Sequence, residues 1–232
     1  MRLNGKNGRG LIIAIDGPSG AGKSTVTKLL ADRLGYIFLD TGAMFRAVAL
    51  AAQRAGISVE DDDALANLCR GIAISFERRD GCCCRVMLND EDVSSAIRSP
   101  EISLLTSRIS ARKVVREFLL TLQREMGSKG GVILEGRDIG TVVFPDADVK
   151  VFLSASAEVR GKRRFIELKA KGVDVDLETT VGEVMQRDEQ DVRREHAPLR
   201  QAEDAIVIDS TELTVDDVVD TIEKMVAEKL RA

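Results

Sequence analysis

The chain has 232 residues, of which 44% are hydrophobic, 31% charged and only 3% aromatic, with no tryptophan and a formal net charge of −4. That length holds one domain with insertions, or a domain and a half, around an ample core. No apolar run approaches membrane-spanning length, and an acidic chain with few stacking platforms is a poor partner for nucleic acid.

The basic, glycine-rich start, Met1–Gly10, lacks a signal-peptide cleavage pattern. It reads as a loose leader, and the cytoplasm is the expected compartment. The apolar run Leu11–Asp16 then predicts a buried strand. Behind it, Gly17-Pro18-Ser19-Gly20-Ala21-Gly22-Lys23-Ser24-Thr25 completes the pattern G-x-x-x-x-G-K-[ST] ahead of a helix-period segment. Glycines let the backbone wrap phosphates with its N–H groups turned inward, and the following helix adds its positive end. Lys23 then reaches the β- and γ-phosphates, the Ser24 hydroxyl ligates Mg²⁺, and Thr25 adds a second hydroxyl. A glycine-rich turn that only caps a helix would share the residues but not the flanking strand and helix.

Val26, Leu29, Leu30 and Leu34 recur at helical spacing, and Gly35 is a natural C-terminal cap. Tyr36–Leu39 predicts a second strand ending at Asp40, which makes a parallel strand-helix-strand unit. Thr41 is placed to cap a helix over Ala43–Ala55, stopped by Gly56, with Arg46 emerging a turn in. Parallel strands point their carboxyl ends into one crevice, so Thr41 and Arg46 flank the phosphate loop's edge. A capped helix with a surface arginine would look the same.

From Ile57 the pattern changes. A short helix opened by Glu60-Asp61-Asp62-Asp63 is followed by strands at Ile72–Phe76 and Arg85–Leu88 around the turn pair Asp80-Gly81, an antiparallel insertion. Cys82, Cys83 and Cys84 alternate faces on an extended segment and cannot converge on one metal, so they read, like Cys69, as reduced thiols. Ser99-Pro100-Glu101 starts helices that run to about Met126. Gly127–Gly131 breaks them, and Val132-Ile133-Leu134 returns to the parallel sheet.

Further strands are predicted at Val149–Leu153 and Ile206–Asp209, with charged helices between them over about Ala157–Glu195, interrupted at Gly172. The lone His196 falls in a loop. Thr214 caps a last helix whose apolar stripe is Val215, Val218, Val219, Ile222 and Met225. The sum is an α/β fold: a parallel sheet core with the phosphate loop, flanked by helices, with an inserted small α/β subdomain and a helical flap.

The loop alone leaves kinases, GTPases, motors and switch proteins open. Glu135-Gly136-Arg137-Asp138-Ile139-Gly140 also ends a parallel strand, where Arg137 can grip a phosphate through two donors and Asp138 can accept from a base or ribose. Glu135 there also suits an NTPase's Mg²⁺ or water. Arg187, Asp191 and Arg194 share one helical face, and Arg160, Lys162, Arg163 and Arg164 beside Gly172 suit either a lid over phosphates or a hydrated basic face.

Together the segments Gly17–Thr25, Asp40–Arg46, Glu135–Asp148 and Arg187–Arg194 resemble the bacterial cytidylate kinase family over almost the whole chain. The resemblance implies transfer of the ATP γ-phosphate to CMP or dCMP, with UMP a poorer acceptor; with it go the Mg²⁺ expected at Ser24 and, as the simplest expectation, a monomer. It implies that Thr41, Ser107, Arg116 and Asp138 face the acceptor's base, that Arg46, Arg137 and Arg194 grip its phosphate, and that Arg187 and Asp191 address its sugar. Lys23, Arg137, Arg187 and Arg194 would be the catalytic set. Residues 1–56, 127–156 and 177–232 are expected to form the core, 57–126 a monophosphate-binding region, and 157–176 the lid.

Overall fold

The computed structural model describes residues 9–79, 83–170 and 172–231. In chain order its strands and helices are β1 (Ile12–Asp16), α1 (Lys23–Leu34), β2 (Ile37–Asp40), α2 (Thr41–Arg54), α3 (Asp62–Gly71), β3 (Ile74–Arg79), β4 (Cys83–Leu88), β5 (Glu91–Asp92), α4 (Pro100–Ile109), α5 (Lys113–Gly127), β6 (Val132–Gly136), β7 (Val149–Ser154), α6 (Ala157–Ala170), α7 (Leu177–Arg193), β8 (Ile206–Asp209) and α8 (Val215–Arg231). A 3₁₀ turn at Ala96–Arg98 and a π-turn at Ile139–Val143 complete the set. The chain divides into two compact units, Phe38–Ser128 and the segments that precede and follow it.

The unit containing both ends of the chain is built on a parallel sheet. β1 pairs with β6 and β7, and β7 with β8, all parallel. β2 enters beside β6 through Ile37, whose amide donates to the Gly131 carbonyl at 2.9 Å, which gives the order β2-β6-β1-β7-β8. Every residue of β1 is buried, as its unbroken apolar run requires of a central parallel strand. α1 buries Val26, Leu30 and Leu34 and packs on β1, β6 and α8. At its end Gly35 takes φ 66 and donates to the Ala31 and Asp32 carbonyls, the expected left-handed cap.

Thr214 Oγ1 accepts from the Asp217 amide at 3.2 Å while Asp217 Oδ2 accepts from the Thr214 amide at 3.0 Å, a reciprocal cap on α8. The buried stripe of α8 is Val218, Val219, Ile222 and Val226. Val215, the helix's first residue, is 39% exposed. α6 and α7 pack together so closely that a Cβ on Gly161 would lie 2.4 Å from Val181 Cγ2.

In the other unit α2 packs with α3, α4 and α5 around Met44, Val48, Leu65, Ile97, Ile102 and Leu119. Two local expectations are corrected. Asp40, not Thr41, caps α2, its carboxylate accepting from the Ala43 amide at 2.9 Å; the helix begins at Thr41 rather than Ala43. A carboxylate is the better acceptor for a helix's positive end, so it takes the cap from the hydroxyl beside it.

The antiparallel sheet has three strands, β3-β4-β5. β3 starts at Ile74 rather than Ile72, because Asn89 Oδ1 accepts the Ala73 amide at 2.8 Å and the Asn89 amide donates to the Ala73 carbonyl at 2.9 Å. β5 was not expected, yet its turn is legible: Asn89 and Asp90 hold φ 48 and 66, the geometry of a tight two-residue hairpin that Asn and Asp tolerate. Cys83 and Cys84 lie in β4, opposite Arg79 and Arg78, whereas Cys82 and the turn pair Asp80-Gly81 fall outside the described residues. Ser99 caps α4 as expected, its hydroxyl accepting from the Ile102 amide at 3.2 Å, with Pro100 in the first turn.

Candidate active site

Asp16 is paired with Gly136 on β6 and Phe152 on β7, so the residues that leave β1 and β6 emerge at one edge of the sheet. There the phosphate loop turns back onto β7: a Cβ on Gly17 would sit 2.0 Å from the Leu153 carbonyl oxygen, leaving room for glycine alone. Lys23 opens α1 and is buried, with Nζ donating to the Gly17 and Pro18 carbonyls at 2.7 Å each. Gly22 offers α1 no capping side chain, so no side chain of the cap residue neutralises the helix's positive end behind the loop. Ser24 and Thr25 are exposed, and Ser24 Oγ donates to Glu135 Oε1 at 2.6 Å. Burial lowers the Lys23 amine to about 7, helped by the charges of Arg137 and Arg187 and opposed by those of Glu135 and Asp16.

Asp16 holds a structural position that the sequence did not single out. Its two carboxylate oxygens accept from the Ile139 amide at 2.8 Å and the Gly140 amide at 2.7 Å, which pins the start of the π-turn and with it Arg137 and Asp138. The available signal was an acid at the end of the first strand, the same signal that singled out Asp40 and Glu135. Burial raises the Asp16 carboxyl to about 6, and the Asp138 charge adds to this against the two amides and Lys23.

Because the folded value lies above the ordinary one, the folded chain binds the extra proton between them. This group's stabilising contribution is therefore full below about pH 4 and is lost as the pH rises through about 6. Urea unfolding of the unaltered chain and of Asp16→Asn should accordingly differ by roughly 2–3 kcal/mol more at about pH 4 than at about pH 7.5, in favour of the unaltered chain at the lower pH. A difference that does not change with pH would show Asp16 to be an ordinary carboxylate.

The last turn of α7 completes the cluster. Asp191 is fully buried, with Oδ2 accepting from Arg137 Nε at 2.7 Å and Oδ1 against Arg194 Nη2. Burial pushes the Asp191 carboxyl up, but the charges of Arg137 and Arg194, a hydrogen bond from Arg137 and the charge of Arg187 outweigh it, so the carboxyl titrates below the ordinary range. Arg187 thus stands close enough to influence both Lys23 and Asp191. Asp138 is buried beside them. His196 lies in the loop between α7 and β8.

Of the four basic residues opening α6, Lys162 is exposed and Arg164 pairs with Glu167 at 3.0 Å. The other two are not a hydrated face. Arg160 is 6% exposed, and Arg163 donates to the Ser210 hydroxyl at 3.2 Å and carbonyl at 2.8 Å. Ser210 in turn donates to the Ala21 carbonyl at 3.2 Å, within the phosphate loop.

The remaining expected site residues lie in the Phe38–Ser128 unit. Thr41 is buried at the start of α2. Arg46 donates to the Ile97 carbonyl at 3.3 Å and to Ser103 Oγ at 3.2 Å. The Arg116 guanidinium lies 5.4 Å from the centre of the Phe45 ring and donates to the Ser110 carbonyl at 3.0 Å. Ser107 is half-buried on α4.

A family model for cytidylate kinase matches residues 13–228. The chain is 67% identical over 224 residues to the cytidylate kinase of Geobacter sulfurreducens, covering 97% of this chain and 96% of that one. It is 50% identical over 210 residues to that of Caldicellulosiruptor bescii, covering 90% and 92%. Among solved structures, a shikimate kinase from Bacteroides thetaiotaomicron aligns with TM-score 0.50 at 15% identity, covering 94% of this chain and 98% of that one. A likeness that distant speaks for the parallel α/β fold alone.

Proposed function

From the chain's membership of the cytidylate kinase family, we propose that the carboxyl edge of the β1-β6-β7 sheet transfers the γ-phosphate of ATP to CMP or dCMP, with Gly17–Thr25 as the donor cradle and Arg137, Asp138, Arg187, Asp191 and Arg194 as acceptor contacts. The observation that carries this reading is the Arg137-Asp191-Arg194 cluster, in which one buried carboxylate holds two guanidiniums near enough to the phosphate loop for the charge of Arg137 to reach Lys23. A phosphate loop that only hydrolysed its nucleotide would have no use for a second cationic cluster of that size. Thr41, Arg46, Ser107 and Arg116 supply further acceptor contacts, the first three on helices that pack together.

A nucleoside monophosphate has a second phosphate pKa of roughly 6, so its attacking oxygen is ionised at neutral pH and needs no general base. Alignment and charge neutralisation are what it needs. Lys23 answers the second need: its amine, lowered by burial and by neighbouring arginines, regains full charge when anionic phosphates enter. Arg137 presents a two-donor fork suited to a phosphate. Hard oxygen donors suit Mg²⁺, and Ser24 Oγ beside Glu135 Oε1, 2.6 Å apart, is such a pair. Ser24 would hold the ion with Glu135 behind it. When bound, the ion neutralises charge on the donor's phosphates. Residues 157–176 serve as a lid that excludes water from this transfer, and a single chain in the cytoplasm suffices. Among the described residues no helix is long and apolar enough to cross a membrane.

The test is ADP formation from ATP and Mg²⁺ with CMP, dCMP, UMP, AMP or GMP supplied in turn. CMP and dCMP should be the best acceptors, UMP poorer, and hydrolysis without an acceptor negligible. A preference for AMP or GMP would overturn the assignment, and acceptor-independent hydrolysis would turn the chain into a switch protein.

A further inference from the structure

Arg160 takes no part in the proposed contacts with either nucleotide, yet it is a buried cation with a divided set of partners. Its Nε donates to the Ala155 carbonyl at 2.8 Å, which fixes the guanidinium against the start of its own helix. Nη1 donates to the Ser19 carbonyl at 3.1 Å, inside the phosphate loop. The same nitrogen lies 2.6 Å from Asp188 Oδ2 on α7. Asp188 follows Arg187 directly and stands one turn before Asp191. Its other oxygen makes no hydrogen bond among the described residues, so the carboxylate is held through Oδ2 alone. The loop also packs on the backbone of Arg160: a Cβ on Gly20 would lie 3.1 Å from the Arg160 carbonyl oxygen.

We propose that Arg160 is a positioning residue that ties the donor loop to the acceptor-binding end of α7, by holding Ser19 through its carbonyl and Asp188 through its carboxylate. The proposal rests on the functional reading above and deepens it, because it assigns a shared support to the two nucleotide sites. One guanidinium nitrogen is the physical link. A shift of the loop at Ser19 moves Arg160, and Arg160 moves the turn of α7 that carries Arg187 and Asp191. A buried, multiply bonded arginine transmits such a shift because its fork has one low-energy placement, whereas a lysine there would follow either partner without the other.

Steady-state kinetics with each nucleotide varied in turn separates this role from plain structural support. Asp188→Asn keeps the Ser19 bond and leaves at most a neutral hydrogen bond where the ion pair joined Arg160 to α7, so it should raise KM for CMP about tenfold while KM for ATP stays within about twofold. Arg160→Met removes both ends and should raise both KM values, and in the double variant the CMP effect should equal that of Arg160→Met alone rather than the product of the two. Arg160→Lys, which keeps the charge, should not rescue CMP binding. Unchanged CMP KM in Asp188→Asn, or CMP effects that multiply, would overturn the link. If Arg160→Met fails to fold, the Asp188→Asn split decides alone. Failure of the functional reading is distinguishable, since the unaltered chain would then not use CMP at all.

Discussion

Lys23→Met lowers kcat for phosphate transfer by about 10²–10³-fold, the usual cost of removing one preorganised donor from a charge-developing site, while the chain keeps its fold. Retention of the fold is the informative half. The amine is buried and its protonated form is disfavoured by burial and by Arg137, so an unbranched apolar side chain of similar length relieves a desolvation penalty. It gives up the hydrogen bonds to the Gly17 and Pro18 carbonyls and the attraction of Glu135 and Asp16, which the relief offsets. Thermal melting should therefore stay close to that of the unaltered chain.

A second reading of the same variant comes from calorimetry. With the Lys23 amine near 7, ATP binding at about pH 7.5 takes up a fraction of a proton as the phosphates restore its charge. Titrations in buffers of different ionisation enthalpy should show that uptake in the unaltered chain and its loss in Lys23→Met. Full transfer activity in the variant would remove Lys23 from the mechanism.

Asp191→Ala has the opposite profile, a large loss of stability together with weakened acceptor binding. It leaves Arg137 and Arg194, both largely buried, without their shared carboxylate, and breaking a buried pair in this way costs about 3–5 kcal/mol. In a chain of this size that lowers the melting temperature by roughly 6–20 °C. The loss should shrink at acid pH. A carboxyl held below its ordinary value contributes stability above the unfolded pKa and loses it as pH falls through the folded one, so the two chains converge below about pH 4. CMP affinity, measured well below the variant's melting point, should fall at least about tenfold, because the two guanidiniums lose the group that aims them. A variant as stable as the unaltered chain at neutral pH would mean that water replaces the carboxylate.

What the sequence disclosed and what it hid divide along physical lines. The unbroken apolar runs that open β1 and β6 pointed to buried parallel strands, and Gly17–Thr25 could hardly be anything but a phosphate cradle once a strand and a helix flanked it. Glycine and proline punctuation located the caps at Gly35 and Ser99 because those signals act within a few residues. Arg160 and Asp188 were invisible for the converse reason: a charged residue on a charged helix reads as solvated unless its partner, distant in sequence, is known. Arg160 meets Ser19 across 141 positions, and no periodicity encodes that. Asp16 sat in plain view, but the glycine-rich loop behind it drew the functional reading. Asp40 took the cap from Thr41 because two good capping residues stood side by side and the carboxylate is the stronger acceptor for the helix's positive end.

The glycine at 161 has a consequence for how α6 and α7 respond to force and to sequence drift. With Val181 pressed into the space where a methyl would go, the two helices meet there with no side-chain layer between them, so α6 can lift from α7 only by giving up that contact. The same contact makes the two positions interdependent: a larger side chain at 161 is admissible only where 181 has shrunk to receive it.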